Sequence, residues 1–319
     1  MKKSVLVPLD GSPLAEQALP MAGMVAQSAG AKVRLALVHQ LPPPPADRSS
    51  AKLYQSVDLS VRKAERDYIH RMATQVRDVA ETGVAFLEGA VGPALLEYTR
   101  QIGADMIVMS THGRGGLDRL WLGSVADYLV RTAEVPVLLV RPTKEERPAP
   151  TVVKPRQILV PLDGSPLAEA VLEPATELAK SLGAELLLVQ VVKPVSIVTD
   201  QPVLFAAGYD EQLTALWRTE AEDYLEDIAE DLRKQGVRAT SVAATGYSVH
   251  ETLLDLATPD SGAMIAIATH GRGGFRRLMV GSVADKLIRT AEVPVLVVRP
   301  AKVAKRATRP PRRRARQRA

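Results

Sequence analysis

The chain has 319 residues, 46% of them hydrophobic, enough for about two ordinary domains with cores of their own. It contains no cysteine, which excludes disulfides, thiolate catalysis and cysteine-based zinc sites, and it has no apolar run long enough to span a bilayer. The formal net charge of +5 belongs to one end: nine Lys or Arg and no acid fall in residues 301–319, and taking those nine from 41 leaves 32 basic side chains against 36 acidic ones. That tail, interrupted by Pro310 and Pro311, reads as a disordered basic end that could attract nucleic acid or another polyanion. The opening MKKSVLVPLDGS has too short an apolar run for a signal peptide. A cytoplasmic chain with no membrane partner is expected.

Strand-like and helix-like segments alternate along the sequence. Ser4–Leu9 is a β-rich run, followed by Leu14, Ala18, Ala22 and Val25 at helical spacing. Pro20 falls inside that helical pattern and calls for a kink or a late helix start. Val33–Val38 reads as a strand, the proline run 42–45 as a loop, and residues 50–81 as a long helix with a polar face. Val84–Leu87 is a strand, Ala94–Ile102 a helix, Met106–Met109 a strand, Ser124–Thr132 a helix and Val137–Val140 a closing strand. A second series follows, with strands at Ile158–Leu162, Leu186–Val191, Val237–Val242, Met264–Ala268 and Val295–Val298, and with Pro174 inside its first helix pattern. Continuous apolar strands alternating with helices imply a parallel sheet covered on both faces.

The second series is a copy of the first. VPLDGSPLAE occurs at 7–16 and again, unchanged, at 160–169. Residues 111–142 and 269–300 agree at 25 of 32 positions. The expected organisation is a first domain over 1–142, a proline- and charge-rich linker over 143–156, a second domain over 157–300 and the basic tail over 301–319.

The most faithfully repeated stretch lies between a strand and a helix. Gly113, Gly115, Gly116 and Gly123 stand between Met106–Met109 and the helix near Ser124; Gly271, Gly273, Gly274 and Gly281 stand before Ser282. Glycine lets backbone N–H groups approach an anion with no Cβ in the way, and a helix N-terminus adds donors and partial positive charge. Arg114 and Arg272 could add charge. In a doubly wound sheet of order 3-2-1-4-5 the first and fourth strands flank the ligand crevice. Asp10 and Asp163, ending the first strand of each copy, would then face the glycine-bearing junction. Plainer readings fit the same residues. Ser124 with Asp127, and Ser282 with Asp285, match a capping box, and Asp-Gly-Ser-Pro matches a turn with Ser12 or Ser165 as cap and Pro13 or Pro166 at N1. The residue pattern leaves both open.

Other signatures are absent: no G-x-x-x-x-G-K-[ST], no G-x-G-x-x-G, no G-x-S-x-G and no H-E-x-x-H. His112 and His270 suit hydrogen bonding or loop shaping, while His39, His70 and His250 share no register. Tyr54, Tyr68 and Trp217 read as packing residues.

These blocks resemble the universal stress proteins, in their tandem form. That family's motif, Gly-x2-Gly-x9-Gly-[Ser/Thr], is matched by Gly113, nine residues, Gly123-Ser124, and by Gly271, nine residues, Gly281-Ser282; its first glycine is replaced by Ser110 and Ala268. The resemblance implies an α/β fold of two tandem Rossmann-like (adenine nucleotide alpha hydrolase-like) domains, each a five-stranded parallel sheet with helices on both faces. It implies ATP, alone or with Mg2+, as the ligand, with Asp10 or Asp163 by the adenosine. Gly123-Ser124 or Gly281-Ser282 would hold the phosphates, and Val38 or Val191 would touch the base. It also implies pairing through the last strands, making the chain a pseudo-dimer or supporting a homodimer. A nucleotide-dependent stress-response or signalling module is the function so expected, one site per domain, with no catalytic residue assigned. A slow ATPase or self-phosphorylating enzyme and a polyanion-binding protein acting through the tail are the alternatives.

Overall fold

The computed structural model describes residues 3–40, 48–113, 122–142, 153–194, 211–269 and 281–300. Arg114, Gly271, Arg272, most of the linker and the basic tail therefore lie outside the described residues. In chain order the first half contributes β1 (Ser4–Leu9), α1 (Pro13–Glu16), α2 (Leu19–Ala29), β2 (Lys32–His39), α3 (Arg48–Arg77), β3 (Thr82–Glu88), α4 (Val91–Gln101), β4 (Met106–Ser110), α5 (Ser124–Thr132) and β5 (Val137–Val140). The second half repeats the series as β6 (Gln157–Pro161), α6 (Pro166–Glu169), α7 (Leu172–Leu182), β7 (Glu185–Val192), α8 (Glu211–Lys234), β8 (Ala239–Thr245), α9 (Val249–Leu256), β9 (Ala263–Ala268), α10 (Ser282–Thr290) and β10 (Val295–Val298).

All ten strands form one sheet, ordered β3-β2-β1-β4-β5-β10-β9-β6-β7-β8. Each half has the doubly wound order 3-2-1-4-5 with parallel neighbours. The continuous apolar runs behave as a two-sided parallel sheet requires: every residue of β1, β5 and β10 is buried. Alternate residues feed two layers. Val5, Val7 and Leu9 pack with α2 and α3, and Leu6, Ile107 and Leu139 with α4 and α5; both layers run on through the second half.

The halves join through their last strands. β5 and β10 pair antiparallel, Val137 with Val297, Leu138 with Leu296 and Leu139 with Val295. Equivalent residues of the two copies thus exchange places about the Leu138–Leu296 pair, as a local twofold demands. Helices α2 and α7 also pack across the joint.

The prolines inside the first helix pattern act by dividing it. The helix stops after Glu16 and restarts at Leu19, which puts Pro20 in the first turn of α2, where its missing N–H removes no helical hydrogen bond. Pro174 sits likewise in α7. The long helix ends at Arg77 rather than 81, and the expected Val237–Val242 strand is shifted to Ala239–Thr245, because Val237 completes the turn after α8 through its N–H to the Leu232 carbonyl.

Candidate functional site

The carboxyl ends of β1 and β4 lie side by side, since β1 pairs with both β2 and β4. Asp10 follows β1. Its Oδ1 accepts hydrogen bonds from the Ser12 N–H (2.9 Å) and the Ser12 hydroxyl (2.6 Å). Ser12 in turn caps α1, accepting from the Ala15 N–H at 3.2 Å, with Pro13 next in line. The turn reading of Asp-Gly-Ser-Pro is thus realised, but it uses only Oδ1. The other oxygen faces the β4 junction: a Cβ built on Gly113 would lie 2.2 Å from Asp10 Oδ2. Gly113 is glycine because the carboxylate occupies the place of its side chain.

The far end of the junction is closed by backbone. The Gly123 N–H donates to the Thr111 carbonyl at 2.9 Å, and a Cβ on Gly123 would stand 3.0 Å from that oxygen. Gly123 is the N-cap of α5, so Ser124 is the first helical residue rather than the cap. The capping-box reading therefore does not hold. Asp127 lies one position too far along, and its carboxylate accepts from Arg131 Nε at 2.8 Å. Ser124 thus opens a helix whose first-turn N–H groups have no intrahelical acceptor. Ser110 and Thr111, which precede Gly113, are buried, and the Thr111 hydroxyl lies 2.9 Å from His112 Nδ1.

The second half repeats these features where it is described. Asp163 Oδ1 accepts from the Ser165 N–H at 2.9 Å, and Ser165 caps α6. Gly281 is the N-cap of α10, Ser282 opens the helix without capping it, and Asp285 pairs with Arg289 at 2.8 Å. Hydrogen bonding to Asp127 raises the Arg131 pKa above the ordinary guanidinium value, with the Asp285 carboxylate adding to it across the joint; Arg289 is raised by Asp285 and, from across, Asp127. Each ion pair lies within its own helix, between residues four apart.

The structure thus brings Asp10, Gly113, Gly123 and Ser124 to one strand-to-helix junction. Val38 lies near the end of β2 and packs into the layer shared with α5, and Val191 does the same on β7 in the layer shared with α10. Sequence reasoning missed two things. The first is Thr111, whose carbonyl clamps Gly123; its repetition as Thr269 was the available signal. The second is His39. Its Nδ1 lies 2.6 Å from Glu65 Oε2 and its Nε2 2.8 Å from Asp58 Oδ1, with the ring buried beside Phe86. A hydrogen bond from Arg62, joined by one from His39, holds the Asp58 carboxyl below its ordinary pKa. Among the aromatic residues read as packing, Tyr68 does pack on the core, whereas Trp217 is 45% exposed on α8.

Comparison with known proteins agrees with this architecture. The model of the Universal stress protein family matches residues 1–141 and again 154–299. A universal stress protein of Mycobacterium tuberculosis strain H37Rv is 30% identical over 207 residues, 65% of each chain, so the match spans just under two thirds of that relative's length. A second one from the same strain is 28% identical over 316 residues, covering 92% of this chain and 94% of the relative. The crystal structure of a universal stress protein from Archaeoglobus fulgidus superposes with a TM-score of 0.63 at 19% identity, over 93% of this chain and 98% of that one, which is a likeness of fold. A chain that carries the family's pattern twice, on one sheet with the same strand order in each half, belongs to the universal stress protein family in its tandem form.

Proposed function

We propose that this protein is a nucleotide-dependent stress-response or signalling module that binds ATP, alone or with Mg2+, at the strand-to-helix junction of each half. One observation carries the reading: Asp10 Oδ2 stands where a Gly113 side chain would be, at the carboxyl ends of the two strands where the sheet order reverses. An acidic acceptor suits the hydroxyl and amine donors of an adenosine. A glycine-lined loop ending in a helix N-terminus suits phosphate oxygens. The residues fit the group. Asp10 and Val38 would hold the nucleoside, and Gly123, Ser124 and the first-turn N–H groups of α5 the phosphates. Asp163, Val191, Gly281 and Ser282 would do so in the second half. Arg114, Gly271 and Arg272 are assigned by motif position alone. What the chain contributes is orientation and charge neutralisation; occupancy would bias which conformation or partner the chain favours.

Calorimetry tests the assignment. Wild-type protein should bind ATP at up to two sites. Gly123→Val combined with Gly281→Val should lose binding while the circular dichroism spectrum stays native. Undiminished affinity in that double variant would discard the site.

A further inference from the structure

The sheet places α3 and α8 at its two ends. α3 lies over β2 and β3, α8 over β7 and β8, and both belong to the layer that also holds α2 and α7. Seven strand spacings separate β2 from β7, roughly 34 Å at about 4.8 Å each, so α3 and α8 cannot meet within one chain. The local twofold at the Leu138–Leu296 pair relates these helices in position but not in charge. Residues 1–142 carry 16 basic and 14 acidic side chains, a net +2, whereas residues 157–300 carry 12 and 20, a net −8. Most of that contrast sits in this helix pair. α3 has seven Lys or Arg against three Asp or Glu, a net +4, and α8 has three against eight, a net −5. Helix positions correspond at an offset of 156, where Tyr68 and Ala73 meet Tyr224 and Ala229; at that offset Arg66 and Arg71 become Glu222 and Asp227.

The charges fall on one side of each helix. Lys52, Leu59 and Arg66 recur every seven residues on α3, and Lys63 stands four beyond Leu59, so the four share one exposed side. On α8, Leu216, Glu220, Asp223 and Asp227 follow at steps of four, three and four, again on one exposed side. Each side sets a leucine among charges of one sign, Leu59 at 68% exposure and Leu216 at 53%. Elsewhere on these helices charges are answered locally, Arg62 by Asp58 and Arg218 by Glu222. Lys52, Lys63, Asp223 and Asp227 make no ion pair among the described residues. Asp223 and Asp227 stand one turn apart and repel each other, a cost that cations laid beside them relieve.

We propose that these two sides dock on each other between two copies of this chain, α3 of each copy lying against α8 of its partner, with Lys52 and Lys63 answering Asp223 and Asp227. A twofold axis makes both contacts at once, so the assembly closes as a dimer. The last strands are not available for this purpose, because β5 and β10 already pair within the chain. A second copy is the occupant because it brings the opposite charge to each side. The basic tail is the other cation that the chain offers to α8, but residues 301–319 hold no acid and leave the α3 side unanswered.

Sedimentation equilibrium of the full chain, with no nucleotide added, tests this. The wild type should be a dimer at about 0.01 M salt, where charges reach roughly 30 Å, and a monomer at about 1 M, where they reach about 3 Å. Lys52→Glu with Lys63→Glu should weaken dimerisation at least about tenfold at low salt, and Asp223→Lys with Asp227→Lys should do the same, both with native circular dichroism. Mixing the two variants should restore a dimer, since every reversed residue then faces its opposite again. Their formal net charges, +1 and +9 against the wild-type +5, share a sign, so gross attraction does not explain a mixed dimer. A wild-type monomer at low salt, a dimer indifferent to salt, a mass that grows beyond two chains, or variants that stay apart when mixed would each overturn the proposal. So would an α3 variant that dimerises like wild type, and weakening by the α8 changes alone would name the tail as the occupant of α8.

Discussion

Gly113 holds its place because Asp10 has taken it: the carboxylate oxygen Oδ2 lies 2.2 Å from where a Gly113 Cβ would be. Residues at the ends of two different strands are thereby coupled. Gly113→Ala pushes a methyl group into a carboxylate tip that can rotate aside, so the fold should lose only about 1 kcal/mol. The displaced oxygen should cost the first junction its ATP affinity by tenfold or more, about 1.4 kcal/mol. In an Asp10→Ala background, which already lacks the two hydrogen bonds to Ser12, Gly113→Ala should cost no further stability, while ATP affinity stays low. Strict additivity of the two substitutions in denaturant unfolding would contradict the contact.

The His39 cluster makes a second prediction. His39→Val leaves the Glu65 carboxylate, whose side chain is 11% exposed, without the imidazole it faces, and should destabilise the protein by about 2–4 kcal/mol. Adding Asp58→Thr and Glu65→Ala writes the second half's residues into the first and should restore most of that loss. Urea unfolding of the single and triple variants checks the order; a neutral His39→Val would show that the cluster contributes nothing.

Tyr224 predicts the alkaline limit. Burial, and then the charge of the hydrogen-bonded Glu169, push its phenol above the ordinary tyrosine range. A group whose folded pKa is raised contributes stability that is complete below its unfolded value, near 10, and is lost as the pH rises toward the folded one. Wild-type stability should therefore fall above about pH 10, and Tyr224→Phe should flatten that fall. Identical alkaline profiles would remove Tyr224 from the account.

The joint between the halves is hydrophobic backbone pairing, with Leu138 and Leu296 both fully buried. A protease site engineered into residues 143–152 should yield two fragments that still elute together. Leu138→Asp, which buries a charge at the centre of the joint, should separate them at a cost of several kcal/mol. Size-exclusion chromatography of the cut chain reads both outcomes.

Much of this architecture was legible in the sequence because its signals were local or repeated. Ser4–Leu9 and Val137–Val140 announced themselves as unbroken apolar runs, and the duplicated Thr-His-Gly block pointed to the junction. What stayed hidden depended on distant contacts. No spacing rule links His39 to Asp58 and Glu65, which meet only because α3 lies over β2. Pro20 could have meant a kink or a restart, and the interruption at Gln17 and Ala18 decides it. Trp217 resembled a core residue by type, yet it lies 45% exposed on α8. Ser124 looked like a cap until Gly123 took that role.

Antiparallel pairing of β5 with β10 also dictates where the two crevices look. Asp10 and Gly113 end strands that run one way, and Asp163 ends a strand that runs the other, so the openings sit on opposite rims of one continuous ribbon. With strands of four to six residues rising about 3.3 Å each, the rims are roughly 13–20 Å apart even before lateral distance is added. No single nucleotide can reach both. Should each junction hold a nucleotide as proposed, the effect of one on the other would pass through contacts that cross the joint, among the described residues the β5–β10 pair and the packed α2–α7 helices.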